Sequence, residues 1–341
     1  MTLGKAPPRR AAAGRGWLWA FWVCTAVTLI ITGSLVPHLR NSAELVRMRN
    51  ALLLDVEPAN PEWSPGSMPA DFARETAAPI PLYADAIAKH ALRVDDDDWA
   101  SALRIGQHLL VDGRRSGGAI QDDLEQTYLR ITGKGEGYCG DFADSFTGLA
   151  TAAGIFSRPW AFSFDGFGGH GHIFNEIWDS RNARWVMIDV HNNFYVVDGD
   201  EHPLSAMAFR DALVNGTAVR LVPVKPSARP GFRFDEKAIE YYRRGLPEWY
   251  MWWGNNVFEY DQAPLVRSLG NMHRALEQLG GVAAGVHPTI RILETPENVA
   301  QRESMTWLKW RLIGVVMAGA LSVLTFIAWR YARRKTSREL N

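Results

Sequence analysis

Two apolar runs, one near each end, constrain this chain more than any other feature. Residues 16–39 contain no Asp, Glu, Lys or Arg, and neither do residues 312–329. A helix of about 20 apolar residues spans a hydrocarbon core of about 30 Å, so residues 17–36 and 312–329 are each expected to cross a membrane. Trp17, Trp19, Trp22, Trp307, Trp310 and Trp329 flank or begin the runs, where amphipathic rings favour the headgroup layer. Lys5, Arg9, Arg10 and Arg15 precede the first run; Arg330, Arg333, Arg334, Lys335 and Arg338 follow the second. Positive charge is retained on the cytoplasmic side. The tails, residues 1–16 and 330–341, are therefore expected in the cytoplasm, with the long middle segment outside. Lys309 and Arg311 oppose this orientation and are outnumbered. A cleaved signal peptide is the rival reading of the first run. That run exceeds the roughly 7–15 apolar residues of a signal core and lacks an A-x-A-like site, so a retained anchor is expected. The implied location is a bacterial inner membrane, crossed twice, with an extracytoplasmic (periplasmic) domain.

Between the anchors the chain reads as a leader, a domain and an extension. The leader, residues 41–94, starts helically at 43–54. It then turns Pro-rich through Pro58, Pro61, Pro65 and Pro69, as a linker laid on the surface would. A domain is expected over residues 95–200, and a helical, aromatic-rich extension over 201–305. Equal numbers of basic and acidic residues, 37 each, exclude a nucleic-acid binder that works through a basic surface. Two cysteines, Cys24 and Cys139, exclude a disulfide scaffold and any cysteine-rich metal cluster. The acidic residues 95–98 lack the Gly and Asn alternation of a calcium loop. They precede a helical face of Trp99, Ala102, Leu103 and Gly106, and the helix dipole favours them there. Ile120, Leu124, Tyr128 and Ile131 mark another helical stripe.

The chemistry starts at Cys139, set among Gly135, Gly137 and Gly140. Phe142, Ala143, Phe146, Leu149, Ala150 and Ala153 follow at helical spacing, so a buried helix is expected to begin beside the thiol. Unpaired N–H groups at a helix N-terminus stabilise negative charge on sulfur and on an oxyanion. A lone cysteine is otherwise an inert small hydrophobe, so its partners decide. A strand is expected over residues 160–164, then a Gly-rich loop over 166–171. Two further strands follow, residues 172–178 and 184–190, joined by the turn-like 179–182. If those four residues form the hairpin loop, Trp178 pairs with Ala183 and His172 falls directly opposite Asp189. Their Cβ atoms would then lie about 4.5–5.5 Å apart.

The order Gly-x-Cys-Gly-Asp-x-Ala, Ala-Gly-Ile-x-x-Arg-Pro, His-x-Phe-x-Glu-Ile-Trp and Trp-Val-x-Ile-Asp resembles the transglutaminase-like family of papain-like thiol enzymes. The resemblance covers about residues 95–200. It implies an α+β domain in which a cysteine-bearing helix packs on an antiparallel sheet, between the two transmembrane helices. It also implies a Cys–His–Asp triad, which falls on Cys139, His172 and Asp189, with no cofactor and no metal. Family members commonly carry Trp where this chain has Phe174. The implied reaction is nucleophilic acyl transfer: Cys139 attacks an amide or ester carbonyl, His172 shuttles the proton and Asp189 orients the ring. The Cys139 N–H is one expected oxyanion donor.

Other assignments compete for these residues. His170 is an alternative to His172, but it sits in the Gly-rich loop. His170, His172, Asp189 and His191 are all zinc-ligand types, yet a zinc site leaves Cys139 unexplained. Asn192 or Asn193 would orient the histidine in papain-like fashion; the expected register disfavours both. Glu176 reads as structural, and Trp99 and Tyr138 as either cleft or core. The aromatic stretch 247–260 reads as buried, and the sequon at Asn215 as chance. Two functions follow. One is a membrane-anchored thiol acyltransferase, peptidase or amidase acting on an envelope peptide or protein. The other is a catalytically silent transglutaminase-like scaffold or binding module in cell-envelope or polysaccharide assembly.

Overall fold

The computed structural model describes residues 9–112, 118–120 and 122–338. Residues 1–8, Lys5 among them, and residues 339–341 of the expected tails lie outside them. The chain divides into a terminal unit, residues 1–52 and 303–341, and a central unit, residues 53–302.

The terminal unit is built on the helices Arg9–Leu35 and Val299–Arg338. Both are long and apolar enough to cross a bilayer, which suggests membrane anchoring. Their apolar side chains are largely uncovered, Ile30 by 73% and Val316 by 69%, as a lipid-facing surface requires. The two helices touch: the Phe21 and Phe326 rings are 5.4 Å apart, and Gly314 lies against Ile31. Position 21 beside 326 and position 31 beside 314 means that the helices run antiparallel.

The central unit has the expected α+β architecture. Among the described residues its strands are β1 (Ser157–Ser163), β2 (Gly171–Asp179), β3 (Arg184–Ile188), β4 (Phe194–Val197), β5 (Arg220–Pro223), β6 (Trp249–Trp252) and β7 (Ile290–Ile292). An antiparallel sheet takes the order β3-β2-β1-β6-β7, and β4 and β5 form a separate ladder. Because strand side chains alternate between faces, the main sheet separates two apolar cores. Ile177, Val186 and Ile188 join Phe142, Phe146 and Leu149 of the cysteine helix (Cys139–Ala152). Phe162, Phe174, Met187, Trp249 and Met251 form the opposite core.

Three expectations change. First, the segment 201–305 is not simply helical: β6 and β7 come from it, and β6 pairs with β1. Strands of three or four residues are too short to display a period of two. The aromatic stretch 247–260 is largely buried as expected, with Trp249, Trp253 and Phe258 covered by at least 99%. Second, the Pro-rich stretch is no surface linker. Trp63 and Phe72 are buried, and Ala73 bridges Gly254. Trp63 also packs on the guanidinium of Arg158, 4.7 Å from its ring centroid. Third, the β2–β3 hairpin has a different register. Trp178 pairs with Trp185, and Asp179 with Arg184, leaving residues 180–183 as the loop. Asp179 stabilises that loop by accepting from Asn182 Nδ2 at 2.7 Å, and Ala183 adopts φ +48°. Asp179 thus stays in the ladder rather than opening the turn.

The acidic residues 95–98 act locally. Asp97 caps the helix Asp98–Leu109 by accepting from Ala100 N at 2.8 Å, while Asp98 bonds Arg93 and Ser180.

Candidate active site

The position of Cys139 is fixed by the turn before it. The helix Leu124–Lys134 ends at Gly135, which takes φ +65°, and Gly137 takes φ +122°. Both lie in the left-handed region that favours glycine. Asp141 then reaches back, its Oδ2 accepting from Tyr138 N (2.7 Å) and Ile120 N (3.1 Å). This clamps the first turn of the cysteine helix. Cys139 opens that helix, at its positive end, and the residue is half-buried.

Asn175 sets the helix against the sheet. Its Nδ2 donates to Thr147 Oγ1 (2.9 Å) and to the Ala143 carbonyl (3.3 Å). One helical turn back from Ala143 is Cys139, and three strand residues back from Asn175 is His172. His172 is the second residue of β2, so the thiol meets the imidazole at the end of the strand rather than through the sheet. The two groups are electrostatically coupled, the thiol adding to what keeps the imidazole charged.

On its other side, His172 Nε2 donates to Asp189 Oδ2 at 2.7 Å. This leaves Nδ1 as the nitrogen for the thiol. The expected direct pairing of His172 with Asp189 does not occur, because the ladder stops at Asn175↔Ile188. Continued by one residue, it would set Asp189 opposite Phe174, making His172 a diagonal neighbour on the same face. Diagonal pairs lie about 7–8 Å apart between backbones, within reach of an imidazole and a carboxylate.

Burial of the ring works against its charged form, but the Asp189 carboxylate and the Cys139 contact outweigh it. The His172 pKa is pushed up to about 10. Burial likewise raises the Asp189 carboxyl, yet His172 and the Tyr242 phenol bring it down to about 2. The pair is therefore imidazolium and carboxylate at neutral pH. Phe162, Phe174, Tyr241 and Tyr242 surround the imidazole with centroids 5.8–6.3 Å away. Phe174, where tryptophan is common, lies nearly parallel to the ring.

Two residues complete the carboxylate's shell. Asn192 donates through Nδ2 to Asp189 Oδ2 (2.7 Å) and through its backbone N to Oδ1 (3.0 Å), and its Nδ2 lies 3.2 Å from His172 Nε2. It thus supports Asp189 rather than replacing it. Tyr242, from the tyrosine helix (Asp235–Gly245), donates its phenol to Asp189 Oδ2 at 2.5 Å. Sequence reasoning did not find Tyr242. Its spacing from Ala238 and Gly245 marks a buried helix face and nothing more.

The remaining candidates fall elsewhere. His170 is exposed in the Gly-rich loop, its Nδ1 3.4 Å from Asp165. Asn193 holds the loop at residues 225–228 through Lys225 N and the Ala228 carbonyl. Glu176 ties Arg158, Trp160 and Ala206 together inside the core. Trp99 packs edge-on against Tyr195. Tyr138 stays 52% exposed beside the thiol. His191 stands between Phe142 and His172, with ring centroids 5.5 and 5.9 Å away. Among the described residues, the acid and histidine side chains that converge closely enough to hold a metal ion are Asp198, Asp200 and His202, away from the expected zinc ligands.

In comparison with known families, residues 93–190 fit the transglutaminase-like superfamily. The chain therefore carries a transglutaminase-like domain over that segment, a superfamily that generally includes thiol enzymes. No curated protein and no solved structure matched the chain.

Proposed function

We propose that this transglutaminase-like domain makes the chain a membrane-anchored thiol enzyme, acting on an amide or ester of an envelope peptide or protein. Cys139 is the nucleophile, His172 the acid–base and Asp189 its orienting carboxylate. The observation that supports this most is the placement of His172. One ring nitrogen is fixed on Asp189 at 2.7 Å, and the other is left to a thiol at a helix N-terminus.

In the proposed reaction the Cys139 thiolate attacks the substrate carbonyl, and its electron pair forms the C–S bond. The charge on the carbonyl oxygen is held by the Cys139 N–H at the helix start. As the intermediate collapses, the proton on His172 Nδ1 passes to the leaving amine or alcohol, leaving a thioester. Water or an acceptor amine then attacks the thioester and gives its proton back to His172, and the thiolate is released. Water makes the reaction hydrolysis; an amine makes it transamidation. Asp189 holds Nε2–H throughout, which fixes the tautomer and stabilises the imidazolium.

Insertion in a bacterial inner membrane with both termini in the cytoplasm, and this domain on the far side, belongs to the same proposal. The antiparallel packing of the terminal helices and their basic outer flanks support it.

Alkylation of the full chain in detergent by iodoacetamide tests the catalytic reading. Cys139 is expected to react well below the pH at which a free thiol ionises, about 8.5, and to lose that reactivity in His172→Ala. Thiol reactivity that rises only near that pH, with no dependence on His172, identifies a silent scaffold instead.

A further inference from the structure

We propose that Tyr242 is a positioning residue of the site: its phenol holds the Asp189 carboxylate in place, so that the tyrosine helix is a working part of the site. The proposal rests on the thiol-enzyme reading above. It adds a residue 52 positions beyond the end of the segment that matches the family.

The geometry is specific. Tyr242 is fully buried, and its hydroxyl meets Asp189 Oδ2 at 2.5 Å. That oxygen also accepts from His172 Nε2 and Asn192 Nδ2, each at 2.7 Å. Burial and the neighbouring carboxylate hold the phenol in its protonated form, so towards Asp189 it can only donate. The ring cannot swing away. Phe162, Phe209, Phe194 and Phe174 surround it with centroids 5.0–5.8 Å distant. The phenol therefore stands as a fixed donor at the end of a packed aromatic lever.

Such a donor has two consequences for chemistry. It stabilises the ionised form of a buried carboxylate, which burial alone would protonate. It also stops the carboxylate rotating away from Nε2, and so keeps Nδ1 aimed at the thiol. The titratable groups facing Asp189 are His172 from β2, His191 from its own loop and Tyr242 from the tyrosine helix. Tyr241, from the same helix, is electrostatically coupled to both Asp189 and Cys139. Tyr242 is coupled to the same two groups, but the Tyr241 hydroxyl donates to the Gly171 carbonyl while that of Tyr242 donates to the carboxylate, so deleting the Tyr242 oxygen reads out the carboxylate.

The test is the pH profile of Cys139 alkylation by iodoacetamide in the full chain in detergent. Tyr242→Phe keeps the aromatic packing and deletes one oxygen. Its acidic limb is expected to move up by about one pH unit, with a plateau rate about tenfold lower, because a buried anion has lost a charge-assisted donor. Site-specific 3-fluorotyrosine at position 242 is a stronger donor of nearly the same shape. It is expected to shift the limb downward, and it keeps the test open if Tyr242→Phe does not fold. A merely structural tyrosine would lower the melting temperature and leave the limb where it was. An unmoved limb in both variants overturns the proposal. If wild-type alkylation is also indifferent to His172→Ala, the catalytic reading falls with it; if His172→Ala abolishes reactivity, the positioning role alone is refuted.

Discussion

Replacing Glu176 by Gln tests whether the sheet beneath the site is held by a buried charge pair. Glu176 is fully buried and Arg158 is 1% exposed. The carboxylate Oε2 accepts from Arg158 Nε (2.8 Å) and Trp160 Nε1 (2.9 Å), lies 2.7 Å from Arg158 Nη2, and Oε1 accepts from Ala206 N (2.8 Å). Glutamine keeps the shape but leaves a guanidinium buried without a counter-charge. Breaking such a pair on one side costs about 3–5 kcal/mol. Part of the cation's stabilisation survives. Its carbon lies 3.6 Å from the Trp185 ring centroid, and Nη1 still donates to the Pro61 carbonyl at 3.0 Å. Because a desolvated cation–π contact is worth about 2 kcal/mol, the lower end, about 3 kcal/mol, is expected. For a unit of this size each kcal/mol moves Tm by about 2–4 °C, so Glu176→Gln should melt about 6–12 °C lower. Removing both charges in Arg158→Met/Glu176→Leu leaves no unpaired ion, and should cost less than the single change. Thermal unfolding of the full chain in detergent micelles, followed by tryptophan fluorescence, measures both. A single variant within about 2 °C of wild type, or a double variant that loses the sum of its parts, refutes the reasoning.

Asp189→Asn should fold, but its amide can place an oxygen at only one of the two positions where Asp189 now accepts. His172 loses its counter-charge, and Cys139 alkylation near pH 6 is expected to fall by about 100-fold or more; unchanged kinetics would remove Asp189 from the site. The same pair sets a pH window for stability. His172, raised from 6.5 to about 10, contributes fully below pH 6.5 and loses its contribution as pH climbs through 10. Asp189, lowered from 3.8 to about 2, contributes above 3.8 and fails as pH falls through 2. Tm measured from pH 4 to 10 should therefore decline above pH 6.5 in wild type, and decline less in His172→Gln. Gly148→Ala places a Cβ 2.7 Å from Tyr83 Cε1 and 3.3 Å from Phe258 Cζ, in a buried ring pair. Overpacking should outweigh the gain in helix propensity and lower stability by about 1–2 kcal/mol in urea unfolding.

Local patterns carried the elements that lie close together in sequence. The cysteine helix was legible because Phe142, Ala143, Phe146, Leu149 and Ala150 repeat at helical spacing and all face the core. The strands β2 and β3 were legible because a turn-like segment separates two apolar runs. The missing elements lacked such a period. β7 has three residues and β6 has four, and their identity as strands depends on pairing with β1 and with each other across long loops. Trp63 and Phe72 sat within a proline-rich composition that suits a surface path. Their burial follows from Arg158, which needs aromatic faces around its charge, and no spacing rule links positions 63 and 158.

The His172–Asp189 contact shows why a partly wrong register can still bring the expected pair together. Placing the turn one residue too early at both ends shifted the expected pairing by two positions. Because side chains alternate with a period of two, a two-residue shift changes the partner and preserves the face. His172 and Asp189 therefore stayed on one surface, and the long reach of imidazole toward carboxylate absorbed the diagonal offset. A slip of one residue would have put them on opposite faces, with the sheet between them. Parity is a property of the local sequence, so it survives an error in the turn. Tyr242 has no such protection: its approach to Asp189 is fixed by how the tyrosine helix packs on Phe162, Phe174, Phe194 and Phe209. Those four rings come from four separate places in the chain, and the donor they aim exists only once all of them are packed.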